Sequence, residues 1–412
     1  MLPRWLGLAA LAAVLSASVV ACGGSASSST NEAVGGVLTI YSSLPLQGPL
    51  ALVSRQIVGG EKLALAADGG RVGRFKIAYD SLDDSNTTDG RWSPGETASD
   101  AKTAAQDTST IAYIGEYNSG ATAISLPLIN GAGIAQVSPS SPYVGLTSSL
   151  DAGQDEPERF YPTGHRTFVR LAPGDAAQAE AQVQLMGSLG VRKLYVLDDE
   201  DPFNLPLANL VASGAQAAGI AVVGHDHVDL TPGTSFKGEA EKIAESGAGA
   251  VFFAGAGTEA AATMWQQLHE ADPALLLLGS SSLAEEDSFA PVLGSAAEKT
   301  YLTTPVLPAR FYPAPARFVL SRYHKRFGGE PTAYVLYGYE SMRLVLGAIR
   351  RAGSHGDDRE TVVAKLLSAR EGRASALGPF AVRADGETTL ARFAVDRISG
   401  GRPVFYREIS VR

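Results

Sequence analysis

The stretch from Ile111 to Ser141 (IAYIGEYNSGATAISLPLINGAGIAQVSPSS) constrains the fold of this chain more than any other. Two short apolar runs, Ile111–Ile114 and Ile134–Val137, flank a segment with helical character at Ala121–Asn130. Glycines follow the first run and end the helical segment, so the pattern predicts strand, loop, helix and strand, which is one βαβ unit. The carboxyl ends of parallel strands lie at one edge of a sheet. We therefore expect both following loops at the edge where open α/β sheets bind ligands.

These two loops carry the first candidate binding residues. The first loop contains Asn118, Ser119 and Gly120, and the second is Ser138–Ser141. Hydroxyl groups and free backbone N–H groups suit a carboxylate or another small polar group. Glycine and serine are also common in loops that only turn the chain, and this stretch alone leaves both interpretations open.

Strand and helix patterns alternate along most of the chain, which predicts an α/β fold with parallel sheets. A length of 412 residues exceeds one ordinary core, so two lobes are expected. The chain is expected to leave the first lobe at Thr167–Leu171 and to cross back at Lys299–Pro305. Residues 150–167, rich in Gly, Pro and charge, are predicted to form a surface insertion. No period of roughly 20 to 50 residues repeats, which excludes a solenoid.

The N-terminus has the pattern of an export signal. Arg4 precedes an apolar segment, Leu6–Val20, that is too short to span a bilayer comfortably. The residues before Cys22 resemble a bacterial lipoprotein lipobox, which implies a lipoprotein signal peptide at 1–21, a lipidated Cys22 and a flexible tether at 22–36. The alternative is a buried thiol in an uncleaved helix. Cys22 is the only cysteine, so no disulfide or thiolate metal site is expected within one chain.

Composition limits the partners of the chain. Hydrophobic residues make up 45% of it and charged residues 19%, as expected of a folded soluble protein. The net charge is −9, so the chain as a whole offers no basic field. We therefore expect neither a nucleic acid nor an anionic lipid as partner.

Three motifs have chemical precedents, and for each an ordinary structural interpretation is favoured. Gly255–Ala260 meets a loose dinucleotide pattern, but no acidic residue ends a following strand, so a cleft-lining loop is favoured. His225–His227 places two imidazoles on one strand face with Asp229, where a polar outer face is favoured and no metal is expected. Ser99 and Lys102 have acyl-enzyme spacing without companion motifs. We predict no catalytic residue, no cofactor and no enzyme activity.

Several motifs in order support a family assignment. They are Leu44–Pro49, Asp80–Asp84, Tyr113–Gly115, Asn118–Gly120, Val137–Ser140, Thr231–Phe236, Ala250–Gly255 and Ala376–Phe380. Together they resemble the type I periplasmic-binding fold, in particular the branched-chain amino-acid-type solute-binding proteins of ABC importers, over about residues 37–400. The resemblance implies two Rossmann-like parallel-sheet lobes joined by a three-segment hinge. The N-lobe would comprise residues 37–169 and 302–377, and the C-lobe residues 170–301 and 378–412.

The resemblance also implies a ligand between the lobes, which close over it. The implied ligand-binding residues are Asn118, Ser119, Ser140, Ser141, Phe203, Ser281 and Tyr334. A family threonine is replaced by Pro142, and Ser141 beside it could substitute. The family's acidic partner for a ligand ammonium falls near Ser281, in a neutral run, and burying an ammonium without a counter-charge is costly. Glu116 or Glu259 could supply that charge from another direction.

The expected function is that of an extracytoplasmic, monomeric, lipid-anchored solute-binding protein of an ABC importer. It would capture a small polar or carboxylate ligand, an amino acid or an amino-acid-like molecule, between its lobes and deliver it to the permease. The neutral run near Ser281 argues against a leucine-like amino acid and leaves small carboxylates, amides and aromatic acids open. Two alternatives come from other classes, a ligand-sensing domain of a membrane receptor and a lipid-anchored serine hydrolase. A transcription regulator with this lobe fold would need a helix-turn-helix before the first strand, and the sequence has none there.

Overall fold

The fold is described from a computed structural model of the chain, which covers residues 32–33, 36–285 and 289–411. The predicted signal peptide, the lipidation site Cys22 and most of the predicted tether lie outside these residues. In the part of the chain that is described, no helix combines the length and the apolar character needed to cross a membrane.

The first sheet has six strands in the order β2-β3-β1-β4-β5-β6. Its strands are β1 (Val37–Leu44), β2 (Arg71–Val72), β3 (Phe75–Asp83), β4 (Thr110–Ile114), β5 (Ala135–Ser138) and β6 (Phe168–Arg170). All neighbours pair in parallel except β2, which is antiparallel to β3. The predicted βαβ unit is therefore present, with β4 and β5 as adjacent parallel strands.

The second sheet has seven strands in the order β15-β14-β11-β10-β9-β7-β8. The remaining strands of the chain are β7 (Lys193–Asp198), β8 (Ala221–His227), β9 (Ala250–Ala254), β10 (Leu276–Gly279), β11 (Thr300–Thr304), β12 (Arg370–Glu371), β13 (Phe380–Ala381), β14 (Arg392–Ser399) and β15 (Arg402–Ser410). Strands β7 to β11 are parallel, and the hairpin β14–β15 adds two antiparallel strands at one edge. Strands β12 and β13 form a separate two-stranded ribbon.

Helices cover both faces of each sheet. They are α1 (Ala51–Ala67), α2 (Pro94–Gln106), α3 (Ser119–Gly131), α4 (Asp175–Leu189), α5 (Leu205–Ala217), α6 (Lys237–Ser246), α7 (Glu259–Ala271), α8 (Ser281–Glu285), α9 (Ala314–Phe327), α10 (Tyr334–Ala352) and α11 (Arg359–Leu367). In the first lobe, α2 and α3 cover one face and α1, α9, α10 and α11 the other, and in the second lobe α4 and α5 face α6 and α7 across the sheet. The predicted α/β fold with two parallel-sheet lobes is confirmed, with antiparallel strands added at sheet edges.

Successive side chains of a strand point to opposite faces of its sheet, so each sheet packs against one hydrophobic core on each face. In β1, Leu38 and Ile40 pack with α1 and α10, while Tyr41 packs with α2 and α3. On the face that carries α1 and α10, the backbones of these two helices are in direct contact at Gly60 and Gly338. A side chain at either glycine would overlap the backbone of the other helix. The first lobe therefore has a tightly spaced helix pair on one side of its sheet.

The segment 150–167 is less of a surface insertion than its composition predicts. Many of its residues are exposed, but Phe160 and Tyr161 are buried. The Tyr161 hydroxyl donates to the Leu146 carbonyl at 2.7 Å. The segment therefore contributes aromatic side chains to a core, which its Gly, Pro and charged residues conceal.

A buried arginine joins two of the segments near the hinge. Arg170 ends β6 and is fully buried, and its Nε donates to Glu387 Oε1 at 2.9 Å. Its guanidinium also donates to the carbonyls of Ser141 at 2.8 Å and Tyr143 at 2.7 Å, and to Thr147 Oγ1. Burial alone would lower the pKa of Arg170, but the carboxylate of Glu387 outweighs it and the pKa is raised. The cation therefore holds the loop after β5 and the chain near residue 387 together.

Glu387→Gln is expected to lower the free energy of unfolding by about 3 kcal/mol, because the buried guanidinium loses its counter-charge. The matched control is Glu408→Gln, which breaks the more exposed pair with Arg392 and should cost about 1 kcal/mol or less. Urea denaturation of both variants measures the difference. Equal losses would contradict a special role for the buried pair.

Candidate functional site

A cavity of ≈ 380 Å³ lies between the two sheets. It is lined by the loops that leave the carboxyl ends of strands in both sheets, among them the loops after β3, β4 and β5 of the first and after β7, β9 and β10 of the second. This is the position where open α/β sheets bind ligands. Its volume is in the range of small-molecule sites.

The cavity brings together five of the seven residues predicted from the sequence. Asn118, Ser119 and Ser140 line it from the first lobe, and Phe203 and Ser281 line it from the second. Ser141 and Tyr334 do not line it. Their predicted contact with ligand stays a prediction, and both have a visible supporting role.

Ser119 is the first residue of α3, two residues before the predicted start of that helix. The first backbone N–H groups of a helix have no intrahelical partner, so they point outward from its N-terminus. The Ser119 Oγ accepts from the Tyr143 N–H at 3.2 Å, which leaves its own hydrogen to donate. Asn118 Oδ1 beside it is buried without a hydrogen-bond partner among the described residues. This corner of the cavity therefore offers donors and one acceptor.

Ser140 and Ser141 have different positions although they are neighbours. Ser140 lines the cavity, and its N–H donates to Ser138 Oγ at 3.1 Å. Ser141 is fully buried with a φ of 47°, and its Oγ lies 2.6 Å from Thr122 Oγ1 and 3.0 Å from the Glu116 carbonyl oxygen. Ser141 therefore shapes the loop that presents Ser140.

Tyr334 contacts Tyr117, a cavity-lining residue, from the core side. It is buried at the start of α10, and its hydroxyl accepts from the Tyr117 hydroxyl at 3.1 Å. The two rings are tilted, with centroids 5.8 Å apart. Tyr117 lines the cavity, so Tyr334 positions it from the core side.

The second lobe presents its loops as one hydrogen-bonded unit. Asp199, after β7, accepts from Asn204 Nδ2 at 3.1 Å and from the Ala256 N–H, after β9, at 3.0 Å. The predicted cleft-lining loop at 255–260 thus reaches the cavity through Ala256. In the third loop, Ser280 and Ser282 bond to each other at 2.7 Å, and both line the cavity together with Ser281.

Trp92 is a cavity residue that the sequence argument missed. It belongs to a polar loop after β3, where Asn86 and Asp89 hold the backbone by accepting from N–H groups within the loop. An added Cβ on Gly120 would lie 2.8 Å from Trp92 Cη2 and 3.0 Å from Phe203 Cε2, so both rings rest on this glycine. Phe203 also packs edge-on against Tyr143 at 5.1 Å. An aromatic contact from both lobes therefore covers the start of α3.

Two carboxyl groups that the sequence argument also missed lie at the cavity. Asp175, the first residue of α4, lines it, and burial raises its pKa to about 7. Asp201, in the loop before α5, lines it too, and burial raises its pKa. Acidic residues thus come to the second-lobe side of the cavity, away from the position near Ser281. An acidic residue at the first turn of a helix that follows a lobe crossing is the signal that could have identified Asp175.

A pair of buried carboxyl groups lies behind the loops of the first lobe. Glu116 Oε1 accepts from the Tyr113 hydroxyl at 2.6 Å, and Asp84 Oδ2 accepts from Thr97 Oγ1 at 3.3 Å. Glu116 Oε2 and Asp84 Oδ1 are buried without partners among the described residues. Burial and their mutual repulsion raise the pKa of Glu116 well above its usual range, and burial raises that of Asp84 to about 7 with Asp100 adding to it. Burial and the neighbouring Asp84 therefore disfavour the ionised form of Glu116, which opposes its use as a counter-charge.

The two histidines of the edge strand β8 share one carboxylate. His225 Nε2 lies 2.8 Å from Asp198 Oδ2, and His227 Nδ1 lies 2.7 Å from Asp198 Oδ1. The hydrogen bond with Asp198 raises the pKa of His227. Within the described part of the chain, no group of three or more His, Cys, Asp or Glu side chains is arranged to hold a metal ion.

A second groove, of ≈ 430 Å³, lies next to Tyr312, Leu377 and Arg392. The Arg392 guanidinium is already bound in a bidentate pair with Glu408, at 2.6 and 2.8 Å. The groove does not collect the carboxyl ends of the two sheets. We therefore assign the candidate site to the smaller cavity.

Gly120→Ala is expected to displace Trp92 and Phe203 from the start of α3, because the new methyl group would overlap both rings at a typical cost of about 1 to 3 kcal/mol. In the chain from Gly23 onward, which lacks Trp5, acrylamide quenching of tryptophan fluorescence should rise, since the half-buried Trp92 becomes more exposed while Trp265 stays fully buried. Gly131→Ala, in the same helix with its nearest neighbour at 3.9 Å, is the control. Equal quenching in Gly120→Ala and Gly131→Ala would refute the packing of Trp92 on Gly120.

The buried Asp84 makes stability depend on pH. Between the unfolded pKa, near 4, and the folded value of about 7, the folded state holds the proton and the unfolded state does not. Raising the pH through this window should therefore lower the free energy of unfolding, by at most about 1.4 kcal/mol per pH unit for this group. Urea denaturation at about pH 5 and about pH 8 should show a smaller fall for Asp84→Asn than for wild type. The control Asp151→Asn, at an exposed position, should show the same decrease in the free energy of unfolding between these pH values as wild type.

Several solved structures share this architecture. A leucine-binding protein, LivK, from Thermotoga maritima MSB8 superposes with a TM-score of 0.72 at 20% identity, covering 90% of this chain and 99% of that one. A solute-binding protein of an ABC transporter from R. palustris, in complex with benzoate, superposes with a TM-score of 0.67 at 17% identity. The match covers 90% of this chain and 95% of that one. A substrate-binding protein of an ABC transporter from Desulfitobacterium hafniense, in complex with Leu, superposes with a TM-score of 0.71 at 17% identity. The match covers 90% of this chain and 100% of that one.

Sequence comparison supports the same conclusion over most of the chain. No curated protein matches the sequence. The profile of one family, described as periplasmic binding protein, matches residues 38–402. With that match and the two-lobed fold, the resemblance noted from the motifs is confirmed, and the chain belongs to the periplasmic binding protein family.

Proposed function

We propose that this protein is the extracytoplasmic solute-binding lipoprotein of an ABC importer, which captures a small carboxylate or amino-acid-like ligand and delivers it to the permease. The observation that carries the proposal is the cavity itself, where Ser119 and Ser140 from one lobe face Phe203 and Ser281 from the other. Family membership supplies the extracytoplasmic setting. Lipidation at Cys22 and the permease partner belong to the proposal.

The first lobe is suited to hold the polar head of the ligand. The Ser119 hydroxyl and the N-terminal N–H groups of α3 provide donors, and Ser140 adds a hydroxyl from the neighbouring loop. Donors at a helix N-terminus favour an anionic group, because the helix dipole adds to the hydrogen bonds. A ligand carboxylate would therefore lie against the start of α3.

Aromatic side chains are suited to cover the rest of the ligand. Trp92, Tyr117 and Phe203 line the cavity from both lobes. A ligand that contacts both sides stabilises the closed form relative to the open one, and the closed form is what the permease would recognise. The structural relatives bind Leu in one case and benzoate in another, so aliphatic and aromatic acids are both candidates.

A positively charged group on the ligand would have counter-charges in the second lobe. Asp175 and Asp201 line the cavity there, although the run at Ser280–Ser282 is neutral. A ligand ammonium near Asp175 would favour its ionised form, so binding would release a proton. An aromatic acid without an ammonium would release none, which separates the two ligand classes.

Thermal-shift screening of amino acids, short carboxylates, amides and aromatic acids tests the proposal. A ligand at about 100 times its dissociation constant adds roughly 2.7 kcal/mol to the free energy of unfolding, which is easily seen as a higher melting temperature. We expect at least one small carboxylate to produce this shift. Calorimetry in buffers of different ionisation enthalpy then counts the protons released. Stabilisation by none of these classes would contradict the proposed ligand.

Ser119→Ala is expected to weaken binding of that ligand by about 1 to 3 kcal/mol, because a buried ligand oxygen loses its donor. Ser99→Ala, on helix α2 away from the cavity, is the matched control. Isothermal titration calorimetry measures both affinities. An unchanged affinity in Ser119→Ala would remove Ser119 from the site.

A further inference from the structure

Helix α9 has one face in the core of the first lobe and one face in solvent. Its buried residues are Ala316, Val319, Leu320 and Tyr323. The exposed residues on the opposite side are Arg317, Phe318, Arg322, Lys325 and Arg326, which we call the α9 basic face. Since the core already anchors this helix, the exposed face is available for another interaction.

The positive charges of the α9 basic face have no acidic residue beside them in the sequence. The sequence contains no Asp or Glu between Glu298 and Glu330. Among the described residues, none of the four cations of this face forms an ion pair, whereas exposed arginines elsewhere do, such as Arg74 with Asp357 and Arg350 with Asp68. The net charge of −9 therefore conceals a local cluster of four positive charges.

An exposed aromatic ring lies within this cluster. Phe318 is 62% exposed, and the guanidinium carbon of Arg322 lies 5.4 Å from the ring centroid. Phe327, at the end of the helix, packs against Tyr323 at 5.1 Å and lies outside the face. Two exposed rings with an arginine over each, Arg322 over Phe318 and Arg326 over Phe327, differ from the contiguous, desolvated centre that a protein–protein contact needs.

We propose that the α9 basic face docks the first lobe onto a membrane surface rich in anionic phospholipid. Arginine and lysine side chains attract anionic headgroups within a Debye length, and an exposed phenylalanine can enter the headgroup region beside them. For this face the proposal departs from the expectation drawn from whole-chain charge, that an anionic lipid is no partner.

The start of the described chain is consistent with such docking. Ala33 is buried in the same hydrophobic core as the inner residues of α9, and its N–H donates to the Asp357 carbonyl at 2.7 Å. A lipid-anchored tether would therefore join the protein at the lobe that carries the basic face. The tether would limit the distance to the membrane, and α9 would select the orientation. This docking goes beyond ligand capture and does not depend on it.

Vesicle sedimentation tests the proposal with the chain from Gly23 onward, which lacks an acyl chain and retains the compact unit Asn31–Arg412. Vesicles of phosphatidylcholine with about 30 mol% phosphatidylglycerol are compared with pure phosphatidylcholine, at about 50 and about 500 mM NaCl. We expect binding only to the anionic vesicles, and a strong decrease at high salt.

Variants then locate the contact. The double charge reversal Arg322→Glu/Lys325→Glu should weaken vesicle binding by at least about tenfold, and Phe318→Ser should weaken it by about threefold. The control Lys102→Glu/Lys237→Glu reverses two exposed charges on helices α2 and α6 and should bind as wild type does. Circular dichroism and melting temperature establish that each variant is folded.

Three results would overturn the proposal. They are equal binding to neutral and anionic vesicles, equal loss in the α9 and control reversals, and no binding of the wild-type chain at low salt. The last result would assign the face to an acidic protein surface instead. None of them bears on ligand affinity, so the proposed capture of a small carboxylate is tested separately.

Discussion

The buried guanidinium of Arg170 is the constraint on which the geometry of the cleft depends. It lies at the end of the last strand of the first sheet and donates to the carbonyls of Ser141 and Tyr143, which directly follow Ser140 in the loop after β5. Its counter-charge, Glu387, comes from a segment far away in sequence. A ligand-facing loop and a segment near the hinge are thus organised around one cation. Since a buried charge is costly without its partners, this arrangement forms as a whole or not at all.

The remainder of the cleft follows from sheet topology. Parallel strands direct their carboxyl ends to one edge, so loops that are remote in sequence meet there, and each lobe contributes a set. The first lobe supplies small hydroxyl residues and a helix N-terminus, whereas the second supplies Phe203, the serine run and two carboxyl groups. This division suits a ligand with a polar head and an apolar body that bridges the lobes.

The sequence predicted the architecture and much of the cleft, because hydrophobic periodicity and the topology rule act at the level of whole elements. It could not predict side-chain direction: Ser141 and Tyr334 were expected to contact ligand, and neither of them lines the cavity. Trp92 was missed because its loop is shaped by side-chain acceptors such as Asp89, which no periodicity reports. The basic face of α9 was hidden for a different reason: a sum over the whole chain discards the position of each charge.

The crossing of α1 and α10 has a consequence for how far this lobe can vary. At Gly60 and Gly338 the two helices are spaced by their own backbones, with no side chain between them. Core side chains elsewhere can exchange volume with their neighbours and let helices drift apart or together. No side chain separates α1 from α10 at these glycines, so most core substitutions should leave the distance between the two helices unchanged. A larger residue at Gly60 or Gly338 would instead force the helices apart. The lobe should accordingly move as a rigid block, and any bending between open and closed forms must be absorbed by the segments that join it to its partner lobe.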